Sequence, residues 1–107
     1  MLITTTDSVP GREIVEALGL VTANTVRARH LGRDVMAGLK NLVGGEIQSY
    51  RQLLSDARAE ALSGLEKEAA KLGADAVVEV RLATATIAAG AAEIVAYGTA
   101  VKLGGKA

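Results

Sequence analysis

The chain has 107 residues, 12 Lys and Arg against 12 Asp and Glu, no cysteine, no Phe or Trp, and two tyrosines. That length suits one domain, which should bury roughly two-thirds of the surface its unfolded chain exposes. A formal charge of zero gives no field that would steer it to nucleic acid or anionic lipid. The absence of thiols excludes disulfides, thiolate metal centres and cysteine nucleophiles.

Half the residues are apolar, and with so few aromatics the core must rest on Val, Leu, Ile and many Ala. At about 25 cal/mol per Å² such side chains gain less on burial than a Leu/Phe core of equal length, so further burial between copies would help. The start, MLITTTDSVPGRE, has neither a basic region nor an apolar run of signal-peptide length, so a cytoplasmic location is the expectation. Uncharged stretches such as 82–92 and 94–101 are at most about half the roughly 20 residues of a spanning helix, and no membrane association is expected.

In chain order, Leu2 to Thr6 reads as a short β-branched strand ending at the turn Asp7-Ser8-Val9-Pro10-Gly11. From Arg12 to Thr25, Ile14, Leu18 and Leu20 alternate with Val15, Ala17 and Val21, and Gly19 marks a bulge or bend between two short strands. Leu31, Val35, Leu39 and Leu42 then fall on one side of a short helix that Gly44-Gly45 would stop. Ile47, Tyr50, Leu54, Ala57, Ala61, Leu65 and Leu72 form the stripe of a long amphipathic helix, with Gly73 as its left-handed C-terminal cap.

After Gly73 the period becomes two, with Val78, Val80 and Leu82 on one side and Val77, Glu79 and Arg81 on the other. A turn around Ala88-Ala89-Gly90-Ala91 leads to a returning strand from Glu93 to Leu103. On it Ile94, Ala96 and Ala100 face one way while Val95, Tyr97, Val101 and Leu103 face the other, so both faces are apolar. Antiparallel sheets usually leave one face polar. If the long helix covers one face, the other needs a cover, either another copy or the short helix.

Candidate chemistry is sparse. His30 is the only histidine and sits among Arg27, Arg29 and Arg33, a setting that repels metal ions, whereas metal sites gather several His, Cys or carboxylate ligands. Glu60 and Glu68 lie two turns apart, too far to chelate together, so an oxygen-lined site would need carboxylates from several subunits. Arg27, Arg29, Arg33 and Lys40 ahead of Gly44-Gly45 could meet phosphates, but neutral charge and two tyrosines argue against nucleic-acid readout. Val43-Gly44-Gly45-Glu46 lacks the Lys-Ser/Thr of a P-loop. No serine, histidine and acid set can be assembled without His30 in every role, so no enzyme is expected.

Taken together, Thr4-Thr5, Gly19-Leu20-Val21-Thr22, Arg33-Asp34, Val43-Gly44-Gly45, Tyr50, Arg58, Ala61, Leu72-Gly73-Ala74-Asp75-Ala76-Val77-Val78 and Gly98-Thr99-Ala100-Val101 give the chain its family likeness. It resembles, end to end, the YbjQ-like family, small uncharacterised proteins labelled heavy-metal-binding. The resemblance implies a dodecin-like α+β subunit, an antiparallel sheet packed on one long helix plus a short one, assembled into a ring-like homo-oligomer, a pentamer. The soft-metal chemistry in the family label finds no cysteine here and one histidine in a basic setting.

The sequence therefore predicts a single domain over 1–107 and a non-enzymatic cytoplasmic homo-oligomer that binds or assembles, with no cofactor. The alternative is a small-ligand or metal-ion site formed between subunits by Arg33, Asp34, Gly44, Gly45, Glu46 and Tyr50.

Overall fold

A computed structural model describes residues 1–26, 44–88 and 91–105, with the side chains of 26, 44–50, 53, 86–88 and 91–92 excepted. Four strands and one helix follow in the order β1 (Leu2–Ile3), β2 (Ile14–Val26), α1 (Gly44–Lys71), β3 (Ala76–Ala88) and β4 (Ala91–Leu103). They form one α+β unit in which α1 packs on a single sheet of order β1-β3-β4-β2. The expected short helix lies outside the described residues.

The sheet is mixed, not antiparallel throughout. β3, β4 and β2 pair antiparallel, but β1 joins β3 in parallel, Leu2 beside Ala76 and Ile3 beside Val77. Thr4 and Thr6 extend this edge through backbone bonds to Val77, Glu79 and Val80. A parallel neighbour needs a crossover, and here most of the chain is that crossover.

Residues 14–26 form one long strand rather than two short ones, because the irregularity at Gly19 shifts the register without ending the pairing with β4. Gly19 has φ +121°, open to glycine and strained for other residues. The bulge also reverses the alternation expected from Leu18 and Leu20. Leu18 packs with Val21 toward the helix, whereas Leu20 is turned outward and is 71% exposed.

A second bulge does the same in β3. Between Val78 and Arg81 two residues, Glu79 and Val80, stand against Gly98, and Glu79 takes φ +53°. Val77 and Val80 therefore both enter the helix-side core, while Val78 joins the other face, against the simple alternation of the sequence.

α1 is rich in Ala, Leu, Glu, Lys and Arg, all strong helix formers. Its buried stripe is Ala57, Ala61, Leu65 and Ala69, each less than 2% exposed. A spacing of four in a helix of 3.6 residues per turn makes the stripe drift slowly around the helix. Ala69 continues the stripe in place of Leu72, which is 47% exposed because the helix has ended at Lys71. Gly73, at φ +76°, closes it as expected. The Gly73 N–H donates to Ala70 O at 3.0 Å and the Ala74 N–H to Ala69 O at 3.1 Å, the paired bonds of a Schellman cap.

The main core sets that stripe against Val21, Val77, Val80, Ile94, Ala96 and Ala100. Small residues bring the layers close. A Cβ on Gly64 would lie 3.0 Å from Ala23 Cβ, and one on Gly98 would lie 2.8 Å from Val77 Cγ1.

Candidate interaction surface

The hairpin register assigns every described position of β2, β4 and β3 to a face. Val21, Ala23 and Thr25 stand beside Gly98, Ala96 and Ile94 on the helix side. The opposite face carries the rows Leu20-Thr99-Val78, Thr22-Tyr97-Arg81 and Asn24-Val95-Ala83.

Among the described residues this outer face is closed at one end only. The turn after β1 folds Val9 onto Ala76, Val78 and Val101, with Ile14 and Leu103 alongside, forming a small second cluster. Its turn is pinned by the Arg12 N–H donating to Val9 O at 3.0 Å. Beyond it Leu20 and Tyr97 stand exposed at 71% and 38%, side by side with Thr22, Asn24 and Arg81. The Arg81 guanidinium is held back against the sheet, donating to Thr5 O at 3.0 Å and Val80 O at 2.9 Å.

The helix does not reach the far half of β3. Residues 81–85 are all exposed, including Leu82, although Leu82 pairs with fully buried Ala96 on the helix side. This part of β3 still belongs to the three-stranded part of the sheet, since β4 pairs with β2 as far as Val26 beside Glu93. The described residues span 55 × 24 × 16 Å, with a radius of gyration of 17.1 Å against about 13 Å for a compact chain of about 100 residues.

Gly44, Gly45, Glu46 and Tyr50 lie in the first two turns of α1, and Arg33 and Asp34 lie outside the described residues, as do His30 and the basic residues Arg27, Arg29 and Lys40. Gly44-Gly45 opens the long helix and is part of it, not a break ahead of it. Among the described residues no three His, Cys, Asp or Glu side chains stand close enough to hold a metal ion. Lys71 pairs with Glu68 at 3.1 Å one turn along the exposed side of the helix, a kind of pair that contributes little, and the terminal amine reaches Glu66 of α1 at 3.5 Å. No helix among the described residues is long and apolar enough to cross a membrane.

Residues 1–104 match the YbjQ proteins, whose family description reads "putative heavy-metal-binding". The chain belongs to the YbjQ family. Similar members are a UPF0145 protein of Archaeoglobus fulgidus, 62% identical over 103 residues (96% of this chain, 95% of the relative), and one of Thermotoga maritima, 56% identical over 103 residues (96% and 97%). The crystal structure of a DUF74-family protein of unknown function from Pediococcus pentosaceus superposes with a TM-score of 0.66 over 97% of this chain and 98% of that one, at 20% identity, a likeness of fold. YbjQ relatives thus share this chain's full length, and the names they carry state no reaction.

The outward Leu20 and the exposed run Arg81–Ala85 escaped the sequence reading. Gly19 was a visible signal for the first, since a bulge reverses sidedness. Nothing in the residues of β3 announced that the helix would stop short of it.

Proposed function

We propose that this YbjQ chain acts as a non-enzymatic homo-oligomer, a binding or assembly protein whose subunit is incomplete alone. What supports the reading is the outer sheet face, where Leu20 and Tyr97 stand exposed beside Val95 and Ala83, large apolar side chains set among the polar Thr22, Asn24 and Arg81 that a solvent-facing antiparallel sheet carries. The elongated shape and alanine-rich helix contact point the same way, since both limit how much apolar area one chain buries. Sedimentation velocity at micromolar concentration tests it: assembled particles are expected, and a single-chain species ends the proposal.

The family description favours a second reading, a metal-ion or small-ligand site between subunits that draws on Arg33, Asp34, Gly44, Gly45, Glu46 and Tyr50. A soft metal would find no thiolate in this chain. Thermal shifts with zinc, copper, nickel and phosphorylated metabolites at millimolar concentration separate the two readings, because any ligand that prefers the folded protein raises its stability by mass action. No shift across the panel removes the second reading.

A further inference from the structure

We draw no further inference here: the strongest candidate, the outer sheet face with Leu20 and Tyr97 exposed beside Thr22, Asn24 and Arg81, carries nothing, because nothing among the described residues shows what covers it.

Discussion

Gly98→Ala probes how closely the sheet packs on itself around the β3 bulge. A Cβ there would stand 2.8 Å from Val77 Cγ1, 3.1 Å from Val80 Cγ2 and 3.0 Å from the Val78 carbonyl oxygen. Carbon atoms pack best at about 3.5–4.0 Å. The valine methyls could yield a little, but the carbonyl belongs to the bulged backbone and cannot turn away. Overpacking of this kind costs about 1–3 kcal/mol, and the fixed carbonyl puts this site in the upper part, about 2–3 kcal/mol. Removing a glycine from a strand interior returns about 0.5–1 kcal/mol of backbone entropy. The net loss is about 1–2.5 kcal/mol. At roughly 2.1 cal/mol/K of unfolding entropy per residue, that lowers the melting temperature by about 4–11 °C. Differential scanning calorimetry at one fixed protein concentration reads it, since assembly makes melting concentration-dependent. Gly105→Ala is the control, because a Cβ there meets nothing within 4 Å. If Gly98→Ala melts with the parent, the close approach of β4 to the bulge is refuted.

Two residues with positive φ should respond in opposite ways. Gly73→Ala places a Cβ in the left-handed cap of α1 and should cost about 1 kcal/mol, whereas Glu79→Gly relieves the same strain in the bulge and should be neutral or stabilising by up to about 1 kcal/mol; paired urea melts check both. Leu65→Ala empties the centre of the helix contact, where the side chain is fully buried, and should cost about 2–5 kcal/mol by the same melts. Asp75→Ala removes the carboxylate that accepts the Leu103 N–H at 2.9 Å; faster amide exchange at Leu103 than at its strand neighbours is the expected sign. Leu20→Ser should leave the subunit's circular dichroism intact while weakening assembly in sedimentation, since Leu20 lies on the outer face and outside the core.

Periodicity made much of this fold legible. The long helix, its Gly73 cap, the β3–β4 hairpin and the two-faced β4 follow from patterns of 3.6 and 2 that tertiary packing did not override. The parallel β1 was not legible because a two-residue strand has no period, and its partner lies over 70 residues away in sequence. The bulge at Glu79 was hidden for another reason: glutamate gives no signal for a left-handed backbone, and only the pairing partner Gly98, an isolated glycine within a strand, hinted at close backbone approach. Val9 was read as part of a turn, yet it is 8% exposed and lids the second cluster. For the candidate site, the helical stripe put Tyr50 on the long helix, whereas Glu46 was read ahead of that helix and lies within it, and a site shared between copies leaves no spacing in one chain to read.

The central claim is that the subunit is completed by other copies of itself. Light scattering across a dilution series from tens of micromolar to tens of nanomolar tests it most directly. The account predicts a mass that is a fixed multiple of one chain at the upper concentrations and persists well into the dilution. A particle with the mass of one chain throughout the series, still folded by circular dichroism, would contradict it.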